Sequence, residues 1–153
     1  MADLLRAYFS SDEVADLRAR AAAASSGWTP GRQHTGYDIL PLRDAMPIGH
    51  PYVARALALI GTPFEDYWDV YFIRYQPGAH IPPHIDAAQH GRRHRRLNAV
   101  LQDDPSGGGI LFIDGIKVEL GVGDAVLFSP DTEVHEVSRV DQPRLLFSVG
   151  AWV

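Results

Sequence analysis

The chain has 153 residues, 46% apolar and 22% charged, with no cysteine. That composition fits one soluble globular domain and excludes disorder, collagen-like sequence, coiled coil, a disulfide scaffold, a thiol nucleophile and any thiolate-bound metal. Nineteen acidic against fourteen basic residues leave a net charge of −5, which argues against general nucleic-acid binding. The opening MADLLRAYFSSDEVADL carries neither a basic leader nor a long apolar core, and no apolar run reaches membrane-spanning length. The expectation is a cytoplasmic protein with no membrane association.

Ser10 followed by Glu13 predicts a capping box at a helix start, with Phe9 and Val14 placed as a hydrophobic staple. Val14, Leu17, Ala21 and Ala24 then recur on one helical face until Gly27. Pro30, Gly31, Gly36, Pro41 and Pro47 make Trp28 to Pro47 mostly loop, with a short strand at Tyr37–Leu40. Pro51 opens a second helix that stops at Gly61, its apolar face being Val53, Leu57 and Ile60. From Tyr67 onward short apolar or alternating runs are separated by glycine, proline and aspartate. They are Trp68–Tyr75, Ile81–Ile85, Leu97–Gln102, Ile110–Ile113, Ile116–Leu120, Ala125–Phe128, Glu133–Ser138 and Arg144–Val149. Asp114-Gly115 signals a two-residue hairpin, and Pro105–Gly109 a turn. Eight short strands with no helical pattern between them predict an antiparallel sandwich or barrel. The organisation expected is one domain, 1–153, in which a helical section of about 1–66 backs a β core of about 67–153.

The segment His90 to Arg96 concentrates four arginines. It reads as a solvated loop or as a clamp for an anionic substrate.

His84-Ile85-Asp86 sets an imidazole and a carboxylate at i and i+2, on one face if the segment is a strand. His135 offers a third ligand fifty-one residues later, within Glu133–Val137. Two histidines and one carboxylate, without thiolate, suit a non-haem Fe(II) facial triad with open positions for cosubstrate and oxygen. An HxD tripeptide alone is weak, because chance produces it often. Arg144 follows nine residues after His135, opening the last strand, and arginine is suited to bidentate recognition of a buried carboxylate.

In this order Tyr75-Gln76-Pro77-Gly78, His84-Ile85-Asp86, Leu97–Leu101, Gly107–Phe112, Gly123–Phe128, His135–Val137 and Arg144 resemble the Fe(II)/2-oxoglutarate-dependent dioxygenase superfamily, in particular its prolyl-hydroxylase-like branch. The resemblance runs from Trp68 to the last residue and implies a mainly β fold, a double-stranded β-helix (jelly-roll) core with N-terminal helices. It implies His84, Asp86 and His135 as iron ligands and catalytic centre, and Arg144 as partner of the distal carboxylate of 2-oxoglutarate. Tyr75 falls where related enzymes often place a tyrosine near the cosubstrate. Asn98 and Ser148 are polar residues on strands that should line the barrel, and either is a candidate hydrogen-bond partner of the cosubstrate. The cofactors implied are Fe(II), 2-oxoglutarate and O2. The reaction implied is oxidative decarboxylation of 2-oxoglutarate coupled to hydroxylation of an unactivated C–H bond in an amino acid, a peptidyl residue or a small natural-product intermediate.

The sequence also departs from the pattern. Prolyl hydroxylases often add a tyrosine on the strand read as Leu97–Gln102, and its apparent position holds Val100. Nine residues follow Arg144, with no helices among them to form a lid. Substrate contacts are therefore expected from the N-terminal loop, where Trp28, Arg32 and Tyr37 lie, from the His90–Arg96 segment, or from a second subunit in a homodimer. Asp86, a carboxylate where a halogenase would have glycine or alanine, points to hydroxylation. His34, His50, His80, His90 and His94 read as loop or surface residues. Two other readings stand beside the hydroxylase. Nucleic-acid demethylation is opposed by the acidic balance, and a cupin-like metal-binding or ligand-sensing module without turnover would have no use for Arg144.

Overall fold

Alternation along Trp68–Tyr75 sends Trp68, Val70 and Phe72 to one face of a strand and Tyr71, Ile73 and Tyr75 to the other, and both faces are covered. This follows from the architecture of the computed structural model, which describes residues 1–153. Its strands are β1 (Asp3–Leu5), β2 (Thr29–Pro30), β3 (Tyr37–Pro41), β4 (Trp68–Tyr75), β5 (Ile81–His84), β6 (His94–Gln102), β7 (Leu111–Ile113), β8 (Ile116–Val118), β9 (Ala125–Phe128), β10 (His135–Val137) and β11 (Arg144–Trp152). The helices are α1 (Ser11–Ala23) and α2 (Pro51–Ile60). A seven-stranded sheet runs β1-β9-β6-β11-β4-β3-β2 and a four-stranded sheet runs β5-β10-β7-β8. Every pairing is antiparallel. One core, with Ile73, Val100, Leu111, Val126, Phe128 and Val137, lies between the sheets. A larger one packs α1 and α2 onto the outer face of the seven-stranded sheet through Leu17, Val53, Phe72, Leu97 and Phe147. This is the double-stranded β-helix core with N-terminal helices.

Local chemistry sets most boundaries as the sequence predicts. Ser10 and Glu13 exchange both bonds of the capping box. Pro51 and Gly61 bracket α2, and Val53, Leu57 and Ile60 are buried. Asp114 and Gly115 both take positive φ, 50° and 75°, which the tight β7–β8 hairpin requires.

Three expectations need correction. The N-terminal section is not only a helical backing, because β1 pairs with β9 and β3 pairs with β4, both in the larger sheet. α1 ends at Ala23 rather than at Gly27, since Ala24 turns extended and the Trp28 indole N–H donates to its carbonyl at 3.2 Å. β6 begins three residues earlier than the apolar run, because His94, Arg95 and Arg96 pair with Trp152, Ala151 and Gly150 of β11.

That early start places a charged residue in the fold's interior. Gly150 stands between Asp69 of β4 and Arg96 of β6 in one cross-strand row. With no side chain at 150, the Arg96 guanidinium reaches across to Asp69, its Nη2 at 2.7 and 2.9 Å from the two carboxylate oxygens. A Cβ at 150 would lie 2.6 Å from Arg96 Cζ.

Candidate active site

β5 is the edge of the four-stranded sheet and carries Pro82 and Pro83, tolerable there because an edge leaves N–H positions unpaired. Its last residue, His84, is the register partner of His135, the first residue of β10, so the two ring centroids come within 4.2 Å. Asp86 lies past the end of β5, and its backbone N–H donates to the Pro130 carbonyl at 2.8 Å. The potential ligand atoms of His84, Asp86 and His135 all lie within 4.8 Å of one another, close enough to hold one metal ion.

Tautomers follow from the hydrogen bonds. His84 Nδ1 faces the Pro82 carbonyl at 2.8 Å and His135 Nδ1 faces the Glu133 carbonyl at 3.0 Å. A carbonyl only accepts, so each Nδ1 carries the proton and each Nε2 keeps a lone pair for a metal. Burial pushes the His135 imidazole below its ordinary pKa, whereas the bond that a protonated Nε2 would donate to Asp86 raises that of His84. Burial works against ionised Asp86, but the His84 bond and the Arg32, His135 and Arg96 charges together outweigh it and hold this carboxyl well below its usual range. An ionised carboxylate beside two imidazole lone pairs is a complete donor set for a divalent cation.

Arg144 opens β11 as the register partner of Tyr75 on the neighbouring strand β4 of the same sheet, and is 4% exposed. Its Nε donates to Asp103 at 3.3 Å, while its Nη1 is buried without any partner. The guanidinium carbon sits 5.4 Å from the Tyr75 ring centroid. Burial pushes the Tyr75 phenol up to about 12, so it stays a neutral donor. Gly109, with φ of 70°, clears the path of this arginine, since a Cβ there would lie 2.8 Å from Arg144 Cδ. One cavity of about 130 Å³ joins the His84, Asp86 and His135 cluster to Arg144, and Ile73, Leu111 and Leu146 are part of its wall. It is far smaller than a drug-sized pocket, which runs to roughly 300 Å³ or more. An unpaired buried N–H is costly unless a ligand answers it. A small dianion reaching from metal to arginine does so, and the donor set fits iron and 2-oxoglutarate at its two ends.

Of the remaining sequence candidates, Tyr75 and Asn98 line this cavity. Ser148 does not: it is fully buried behind the wall, its hydroxyl accepting from Arg96 Nη1 at 2.7 Å and donating to Asn98 Oδ1 at 2.6 Å. Its hydroxyl thus links Arg96 to Asn98. Arg32 and Tyr37 line the mouth as the N-terminal loop suggested, but Trp28 stacks under Arg74 on the helix side. Arg32 Nη2 donates to Asp86 Oδ1 at 2.6 Å.

The basic segment divides: His90 to Arg93 form an exposed turn, as the solvated reading expects, while His94, Arg95 and Arg96 belong to β6. Arg92 covers Phe64, Arg93 pairs with Asp131, Arg95 donates to the Ile60 carbonyl, and Arg96 turns inward. His94, expected at the surface, is 2% exposed. Sequence reasoning missed Arg96 as a cavity residue, although it shares a strand face with Asn98 two positions on. Tyr71 and Gln33 also line the cavity unforeseen.

The family model described as 2OG-Fe(II) oxygenase superfamily matches residues 70–153. The chain belongs to that superfamily, and is thus an Fe(II)- and 2-oxoglutarate-dependent dioxygenase that consumes O2. No curated protein matches the sequence. Among solved structures it is similar to a Pseudomonas putida prolyl-4-hydroxylase, at 22% identity and TM-score 0.77 over 99% of this chain and 91% of that one. The epimerase SnoN from nogalamycin biosynthesis matches at 18% identity and TM-score 0.72, over 97% and 77% of the two chains. A viral collagen prolyl hydroxylase from Paramecium Bursaria Chlorella virus-1 matches at 16% and 0.67, over 99% and 96%. At these identities the likeness establishes the shared fold. No helix of this fold is long and apolar enough to cross a membrane.

Proposed function

We propose that His84, Asp86 and His135 hold the Fe(II) and that Arg144 pairs with the distal carboxylate of 2-oxoglutarate, with the Tyr75 ring against it and Asn98 on the cavity wall. Bound iron would activate O2, the oxidant: 2-oxoglutarate would supply two electrons on decarboxylation to succinate and carbon dioxide, taking one oxygen atom, and the substrate C–H bond would supply the other two and take the second atom as hydroxyl. The chain provides the rest. The Nδ1 bonds to the Pro82 and Glu133 carbonyls aim both histidines. Arg144 fixes the cosubstrate's far end, and an apolar wall keeps water out between the two. The observation that carries this reading is the orphaned Nη1 of Arg144, buried at the far end of the cavity that begins at the histidine and aspartate cluster.

The substrate is an amino acid, a peptidyl residue or a small natural-product intermediate, a range supported by relatives whose names include prolyl hydroxylases and an epimerase of nogalamycin biosynthesis. It enters past Arg32, Gln33 and Tyr37, which border the mouth. The Arg32 guanidinium, 64% exposed, suits a substrate with a free carboxylate once Asp86 engages the metal. Residues 1–153 act as one domain, because the N-terminal strands complete the same sheet that carries Arg144.

His84→Ala and Asp86→Ala test the ligand assignment. Each variant, supplied with Fe(II), loses 2-oxoglutarate turnover to background while keeping its circular dichroism spectrum. Succinate release at the wild-type rate by a folded variant overturns it.

A further inference from the structure

His94 has no place in the reading above, yet its surroundings are built. The ring is 2% exposed and lies parallel to the Trp152 indole, centroids 4.4 Å apart and planes 9° apart. Its Nε2 is 3.4 Å from Arg96 Nη2. A guanidinium has only donors, so Nε2 accepts and the ring proton sits on Nδ1. Arg96 is itself fixed by both oxygens of Asp69 and by Ser148, so the tautomer is imposed from outside the ring. The Nδ1 is buried without a hydrogen-bond partner and faces Asp86 Oδ2 at 3.8 Å. The other oxygen, Oδ1, is the one near His84 Nε2, at 3.4 Å, and in the Arg32 ion pair. The Asp86 carboxylate thus has one oxygen turned to the ligand cluster and one turned to His94.

We propose that His94 is a positioning residue that holds Asp86 Oδ2 through its Nδ1–H and so orients this carboxylate toward the metal. The proposal rests on the assignment of Asp86 as a ligand. The present 3.8 Å gap is about 0.6 Å beyond the upper limit of an N–H···O bond, which a carboxylate rotation closes. Leaving a buried donor unanswered is costly, so that rotation is favourable. Its consequence is a carboxylate that offers a single oxygen. A carboxylate free to swing could take a second coordination position, one that the cosubstrate and oxygen need. The Arg96 donor at Nε2 keeps that nitrogen an acceptor, so the ring offers its one proton from Nδ1. A relay results, from Asp69 through Arg96 and His94 to Asp86, in which each member fixes the next.

Cobalt(II) titration of the purified full chain, followed by its visible absorption, tests the proposal with two variants. His94→Phe keeps the stack on Trp152 and removes the donor. His94→Asn gives up the stack but sets an amide N–H near the position of Nδ1. The expected result is cobalt affinity weakened about tenfold or more in His94→Phe, and restored to within about threefold of wild type in His94→Asn. Urea midpoints show that each variant is folded. Wild-type affinity in His94→Phe overturns the proposal, as does His94→Asn binding no better than His94→Phe. Asp86→Ala in the same titration separates the layers. If it binds cobalt as wild type does, the ligand assignment fails and this proposal falls with it. If it loses binding while His94→Phe does not, the proposal alone fails.

Discussion

Gly150→Ala offers a direct test of how the interior charge is held. The new Cβ would lie 2.6 Å from Arg96 Cζ and 3.0 Å from Asp69 Oδ1, so the guanidinium must leave its bidentate contact. Arg96 has little room to relocate: it is 6% exposed, lies over the Tyr71 ring and is bonded to Ser148. Removing the partner of a buried charge costs about 3–5 kcal/mol. The Asp69 side chain is one-third exposed, so solvent screens part of that, and about 3 kcal/mol is the expected loss. For a chain of this size the melting temperature falls by roughly 6–12 °C. Urea unfolding of wild type, Gly150→Ala, Arg96→Ala and the double variant forms a cycle. If the cost arises from the ion pair, Gly150→Ala in the Arg96→Ala background costs less than about 1 kcal/mol. A full cost in both backgrounds, or no cost in wild type, refutes the reasoning.

Burial and the Arg96 charge lower the His94 pKa from 6.5 to about 4. Between those values the unfolded chain binds a proton that the native chain refuses, so stability is full above about pH 6.5 and declines as pH falls toward 4, by at most about 3 kcal/mol. Urea midpoints of metal-free wild type and His94→Asn across that window measure the difference, and parallel pH profiles contradict it. Gly109→Ala puts a Cβ 2.8 Å from Arg144 Cδ at a φ of 70°. It costs about 1–2 kcal/mol of stability for the left-handed backbone and displaces the guanidinium. Equilibrium binding then shows 2-oxoglutarate affinity lowered about tenfold, and unchanged affinity would mean that the arginine has another route.

The parts of the site carried by the ordered motifs shared with the superfamily were legible. His84-Ile85-Asp86, His135 and Arg144 stand out because each is polar in or beside an apolar strand, and β5, β10 and β11 bring them to one cavity. The capping box, α2 and the Asp114-Gly115 turn were legible because their signals lie within a few residues. Arg96 and His94 were not. Four arginines in a short segment read as solvated, and their burial depends on Asp69, 27 residues away, on the absence of a side chain at Gly150, and on the Trp152 ring. β1 was equally hidden, being three residues whose pairing with β9 depends on a partner more than a hundred positions on. For Ser148, strand parity gives the face of the side chain but not that its hydroxyl is shared between Arg96 and Asn98.

The claim that one cavity joins an iron site to a carboxylate-binding arginine is tested most directly by anaerobic titration with Fe(II) and then 2-oxoglutarate, following the weak visible charge-transfer band of the chelate. Arg144→Ala is titrated in parallel. The account predicts a saturating band in wild type, and in Arg144→Ala a band that needs about thirtyfold more 2-oxoglutarate or beyond, as expected when one side of a buried charge pair is removed. A protein that binds iron yet gives no band, or an Arg144→Ala variant that saturates at the wild-type concentration, would contradict it.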